Sequence, residues 1–146
     1  MRKGLPRRQK GAAALEFALV FILFFGVFYG LVSYSLPLLL MQSFAQAATE
    51  GVRRSVALDP TTANYSSVVV TQATSSAYAQ LGWIPPAFNF SPTYITATYS
   101  ATGLLTVQIN YPSANLANVL PFLVLPGLGT VPALPTMLTA QSSMQF

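Results

Sequence analysis

The chain has 146 residues and a formal net charge of +4, yet only 7% of its residues are charged, against about 25% in ordinary globular domains. It contains no Cys and no His, which rules out disulfide stapling, removes the usual ligands of zinc, iron-sulfur and haem centres, and deprives acid–base catalysis of its commonest residue. Five of the seven basic residues precede Gly11 and no charge follows Asp59, so the folded part lacks the basic patch that a nucleic-acid partner requires.

The first element is a short polar leader, Met1 to Gly11, carrying Arg2, Lys3, Arg7, Arg8 and Lys10. An apolar run follows from Ala12 to Met41, interrupted by a single acidic residue, Glu16. A helix needs about 20 apolar residues to cross a hydrocarbon core of about 30 Å, so the run predicts a membrane span over about 12–36. Basic flanks resist translocation. They set a single-pass orientation in the inner membrane, with the amino end cytoplasmic and residues 55–146 forming a periplasmic head.

Glu16 needs an explanation. A carboxylate inside a spanning helix costs about 2.5–3.5 kcal/mol on insertion scales and usually has a partner. No Lys, Arg or His lies between Gly11 and Arg53. Either Glu16 lies near the headgroups and snorkels, or a cut between Gly11 and Ala12 supplies an amine four residues away, one turn along the same helix face.

A short basic leader, a glycine, and glutamate as the fifth residue after it resemble the processing site of type IV pilins, which a prepilin peptidase cleaves. The words Gly11-Ala12-Ala13-Ala14-Leu15-Glu16-Phe17-Ala18-Leu19-Val20 and Ala47-Ala48-Thr49-Glu50-Gly51-Val52-Arg53-Arg54 resemble the TadE-like family of the tight-adherence (Flp) pilus system. The first residue after the glycine is Ala12, where many type IV pilins have phenylalanine. Phe17 and the long carboxyl-terminal region favour a TadE/TadF-type minor pilin or pseudopilin over the short main pilin. The specific words cover residues 7 to 54. The resemblance implies a non-enzymatic subunit that helps to assemble a Flp-type pilus for adherence and is incorporated into it or into its membrane platform. It implies as partners a prepilin peptidase, other pilin subunits, the inner-membrane assembly platform and the lipid bilayer. No cofactor, metal, small-molecule substrate or nucleic acid is implied.

Within the span, Gly26 and Gly30 are one turn apart, a spacing that lets spanning helices approach closely, although glycine is frequent in such helices anyway. Phe21, Phe24, Phe25 and Phe28 surround that face. Pro37 removes a backbone donor and predicts a kink. Past it, Met41, Phe44 or Ala45, Ala48 and Val52 form a stripe opposite Gln42, Gln46, Thr49 and Arg53. One bent rod over 12–54 is therefore expected, half in lipid and half a spine for the head. Glu50 and Arg54 form a favourable i,i+4 pair near the end of this helix.

Asp59-Pro60-Thr61 predicts a cap and the start of a second helix running from about Pro60 to Leu81, with Tyr65, Val69, Ala73 and Ala77 toward the rod. From Thr93 the period becomes two. Residues 93–99 and 104–111 flank a turn at Thr102-Gly103, and residues 137–146 alternate in the same way. The expected fold class is α+β, a long helix packed against a head with a second helix and a three-stranded antiparallel sheet. Between the second and third strands lies Pro112 to Pro135, apolar but carrying Pro121, Pro126, Pro132 and Pro135. So many breakers exclude a second span. The segment is either an exposed contact surface for a partner or the bilayer, or a loop folded over its own sheet. Asn64-Tyr65-Ser66 and Asn89-Phe90-Ser91 match the glycosylation triplet, which carries no weight in a pilus-type chain.

Two other layouts fit the same features: an uncleaved membrane-anchored periplasmic binding or scaffold domain, and a secreted protein cut after Ala45-Gln46-Ala47. The apolar run is far longer than the 7–15 residues of a secretory core. No Ser or Lys stands in a recognisable nucleophile setting, and catalytic residues are expected to be none.

Overall fold

The computed structural model describes residues 7–125, 127 and 129–146. Arg2, Lys3 and Pro126 lie outside the described residues, as do the side chains of Arg7, Arg8 and Lys10.

One helix, α1 (Arg7–Ser55), forms the spine. It begins at Arg7 rather than Ala12 and ends at Ser55 rather than Arg54. Its 49 residues amount to about 74 Å at 1.5 Å per residue. Ser33, Pro37, Leu40, Phe44, Ala47, Ala48, Gly51, Val52 and Ser55 are buried, a stripe with the three-and-four spacing of a helix that packs along one side. The expected phase was one residue off at its start, because Leu40 takes the inward place given to Met41, which is 38% exposed. Leu38, Leu39, Leu40 and Met41 are apolar all round the helix, so composition alone does not fix the inward position. Pro37 lies inside the helix and deprives the Ser33 carbonyl of its donor. Ser33 Oγ is itself buried without a hydrogen-bond partner among the described residues.

The second helix, α2 (Tyr65–Gln80), starts later than Pro60. The Asp59 carboxylate accepts hydrogen bonds from the Thr61 N–H at 2.9 Å and the Thr61 hydroxyl at 2.8 Å, and these contacts hold its pKa below the ordinary value. The capping signal is therefore spent on a local turn, and Asn64, in the left-handed region at φ 56°, redirects the chain into α2. Val69, Ala73 and Ala77 are buried as expected, while Tyr65 is half-buried with its ring edge-on to Tyr99.

Three strands make the main sheet, β1 (Ile95–Tyr99), β2 (Leu104–Pro112) and β5 (Met137–Gln145), all antiparallel in the order β1-β2-β5. The β1–β2 turn places Gly103 at φ 80°, where an added Cβ would collide with the Phe146 carbonyl oxygen. Leu105, Val107, Ile109 and Tyr111 of β2 are buried, as period-two alternation predicts. Tyr111 packs among Phe44, Phe90 and Tyr94, and its hydroxyl donates to the Phe88 carbonyl at 2.7 Å. Burial, with a smaller contribution from Tyr94, pushes the Tyr111 phenol up to about 12.

The Pro-rich segment is partly ordered into a hairpin of β3 (Leu123–Leu125) and β4 (Gly129–Val131), which the sequence did not foretell. Leu116 of this segment is buried in the core and Phe122 and Leu134 pack against it, so part of the segment folds onto its own domain. The hairpin itself lies beside α1, where the Tyr29 hydroxyl donates to the Pro121 carbonyl and the Tyr34 hydroxyl accepts from the Ala133 N–H at 2.9 Å.

The two helices approach each other closely at Gly51. A Cβ there would stand 2.7 Å from the Ala73 carbonyl oxygen and 3.2 Å from the Ala77 Cβ. Gly51→Ala should force α1 and α2 apart and destabilise the head by about 1–3 kcal/mol, the usual range for overpacking, measured as denaturant unfolding of the full chain in detergent. An unchanged midpoint would show that the helices separate freely at this point.

Candidate functional site

The bare half of α1 is where the sequence-predicted site residues lie. Every residue from Gly11 to Phe28 is exposed, Tyr29 and Gly30 are half-buried, and Ser33 is the first fully buried position. Gly11 to Val32 is about 33 Å of helix, close to the hydrocarbon thickness of about 30 Å. Among the described residues α1 is the one helix long and apolar enough to cross a membrane. Phe17 and Leu23 are each 71% exposed, a large forfeit of apolar burial unless lipid or protein covers them.

The Gly11–Ala12 bond lies inside α1, because the helix runs back to Arg7. Ala12 and Glu16 are one turn apart on the same helix face, and Glu16 is exposed. Gly26 and Gly30 are open as well, since a Cβ at either would meet nothing within 4 Å. Glu16 and Gly30, fourteen residues apart, fall within about 40° of each other around an ideal helix, whereas Gly26 is about 80° from Glu16. The structure therefore places Ala12, Glu16 and Gly30 along one side of the helix, with Ala12 and Glu16 exposed and Gly30 half-buried.

Two features were not found from the sequence. The first is an aromatic ladder along α1. Phe17, Phe21, Phe25 and Tyr29 stack in succession with ring centroids 6.1, 6.1 and 6.3 Å apart. The i,i+4 spacing of these four residues was the available signal. The second is a cavity of about 270 Å³ between the helix and the hairpin, lined by Phe21, Ile22, Phe25, Gly26, Tyr29 and Leu123. Its only sequence signal was weak, the two tyrosines Tyr29 and Tyr34 in an otherwise phenylalanine-rich run.

Farther along α1 is the one cluster of charged groups that comes together among the described residues. The Glu50 carboxylate accepts from Arg53 Nε and Nη2 at 2.8 and 2.9 Å and from Arg54 Nε at 2.6 Å. The pairing with Arg54 was expected, while the forked contact with Arg53 is additional. These hydrogen bonds, Arg53 first and Arg54 next, hold the Glu50 carboxyl down at about 2. The arginine side chains are 72% and 55% exposed, so the cluster is a solvated fastening at the helix end. Among the described residues no three His, Cys, Asp or Glu side chains gather as a metal site would require.

Set beside known families, residues 11–53 match the model described as TadE-like protein. The match takes in Gly11, Ala12, Glu16, both glycines, Pro37 and Glu50, and leaves α2 and the sheet outside it. Comparisons with curated proteins and with solved structures returned no match.

The folded-state pKa of Glu50 lies below the ordinary value of 4.5. Its pairing therefore contributes stability in full above about 4.5, and that contribution is lost as pH falls toward about 2. Thermal melts of the full chain and of Glu50→Gln should differ at neutral pH and converge across that acid window. A gap that persists undiminished at the bottom of the window would overturn the assignment.

Proposed function

We propose, starting from the TadE-like segment at residues 11–53, that this chain is a minor pilin or pseudopilin that takes part in assembling a Flp-type pilus for adherence. The coarser part of that reading, a pilus-associated protein with a membrane-span-like amino-terminal helix, is supported by the family match and by the length and apolarity of α1. The finer part rests chiefly on one observation, the placement of Glu16 one turn after Ala12 on a helix that the head leaves bare.

The basic leader holds the amino end in the cytoplasm, and α1 crosses the inner membrane with the head in the periplasm. A prepilin peptidase cuts between Gly11 and Ala12. The new amine and Glu16 then neutralise each other, within one chain or between neighbours, which removes the cost of a lone carboxylate in lipid. Gly26 and Gly30 let neighbouring helices pack closely. The chain performs no catalysis of its own and needs no cofactor; its partners are the peptidase, other pilin subunits, the assembly platform and lipid.

A second reading, an uncleaved anchored scaffold, draws on the unbroken helix through Gly11–Ala12. Peptidase attack there requires local unwinding of the first turns of α1, which helix ends permit at small cost.

The intact mass of the chain from membranes separates the readings. A mature chain starting at Ala12 supports processing, one starting at Met1 makes it an anchored domain, and one starting at Ala48 makes it a secreted protein. Glu16→Ala should leave membrane insertion intact and lower pilus number severalfold. Unchanged piliation in that variant would remove Glu16 from assembly.

A further inference from the structure

We propose that the β3–β4 hairpin is a lipid-immersed wedge that enters the outer leaflet of the bilayer beside the span. This rests on the reading of α1 as a membrane span and adds a second contact with the membrane.

The depth follows from the helix. Gly11 to Tyr29 is about 27 Å and Gly11 to Tyr34 about 35 Å, so an outer boundary about 30 Å from the basic leader falls between the two tyrosines. Tyrosine suits that level, with an apolar ring below and a hydroxyl at the wet edge. Those two hydroxyls hold the two legs of the hairpin, Tyr29 at the Pro121 carbonyl and Tyr34 at the Ala133 N–H. The hairpin then descends. Leu123 reaches the groove of Ile22, Phe25 and Gly26, which lie about 5–10 Å below Tyr29 along the helix. That is the depth at which interfacial elements bury their apolar groups.

The chemistry of the segment suits the place. Residues 121–135 contain no charged side chain, and Thr130 is their one hydroxyl. Val124 follows Leu123 in the strand and points to the other face, where it is 76% exposed. An open hairpin in hydrocarbon suffers from unpaired backbone groups. Here β3 and β4 pair with each other at Leu123↔Val131, Val124↔Thr130 and Leu125↔Gly129, and Pro121 and Pro132 bring no N–H to satisfy. The remaining unpaired edge limits the wedge to the upper part of one leaflet. A lipid occupant is favoured because the exposed surface of Val124 is continuous in depth and character with that of α1, and it has none of the polar rim that marks a protein docking site.

The test uses the full chain, which has no native Cys. Val124→Cys and, as a span reference, Leu23→Cys are each labelled with an environment-sensitive fluorophore and reconstituted at low protein-to-lipid ratio into vesicles of phosphatidylethanolamine and phosphatidylglycerol. The expected result is blue-shifted emission at both sites. The probe at 124 should be quenched more by lipids brominated near the headgroup than by lipids brominated near the chain ends, and should resist aqueous iodide. A water-like, iodide-accessible probe at 124 beside a buried probe at 23 overturns the wedge and leaves the span standing. Protection at 124 that appears only at high protein-to-lipid ratio overturns it in favour of a second copy as the covering surface. A water-like probe at 23 overturns the span, and the wedge with it.

Discussion

The head is held together by one side of α1. Leu40, Phe44, Ala47, Ala48 and Val52 are almost wholly removed from solvent, and burial of a large apolar side chain stabilises by about 1.5–3 kcal/mol. α2 and the main sheet both close on this side and also touch each other, as where Tyr65 meets Tyr99. The buried positions of α2 are Val69, Ala73, Ser76 and Ala77, mostly small, so its grip depends on close approach at Gly51 more than on bulk. The sheet contributes larger groups, and Tyr111 fills the gap between Phe44 and Phe90. A head built in this way cannot be detached from its helix without losing its core, so any force on the helix passes directly to the head.

The two halves of this helix obey different rules. Beyond Met41 the buried apolar residues keep to a stripe and Gln42, Gln46, Thr49 and Arg53 face out. Before Ser33 nothing polar needs facing, and apolar residues occupy every side. Periodicity therefore carries information in the second half and none in the first. There, phase is set by isolated residues: Glu16, Gly26, Gly30 and Tyr29. The family match takes in both halves of α1 and stops at Arg53.

That division also decides what could be read from the chain beforehand. The two helices and three main strands were legible, because the helix stripe past Pro37 and the alternation of β2 are both enforced by burial on one face. The start of α2 was not, because Asp59-Pro60-Thr61 serves equally well to close a turn, and Asn64 sets the true start through a left-handed backbone. Gly51 was overlooked because its importance lies in a partner, Ala73, on another helix. The hairpin was the least legible element. Prolines broke its pattern, it is only three residue pairs long, and its position depends on tyrosines 92 and 99 residues away. Of the candidate site, Gly11, Ala12, Glu16, Gly26 and Gly30 were all named from spacing or resemblance. What sequence could not show is that the hairpin shares their part of the helix.

That sharing constrains how copies of the helix could pack. Leu123 stands over one flank of Gly26, whereas Gly30 lies within about 40° of the side that carries Glu16. A neighbouring helix approaching Gly26 from the Leu123 flank would meet the hairpin first. One approaching along the Ala12, Glu16 and Gly30 side would find an open backbone and a carboxylate on the same line. Close packing in a membrane needs small residues over several turns, and a carboxylate in lipid needs a countercharge. The second approach brings Gly30 and Glu16 to a single face, with Leu23 between them within about 20° of each. The hairpin thus narrows the choice of helix face open to a neighbouring helix.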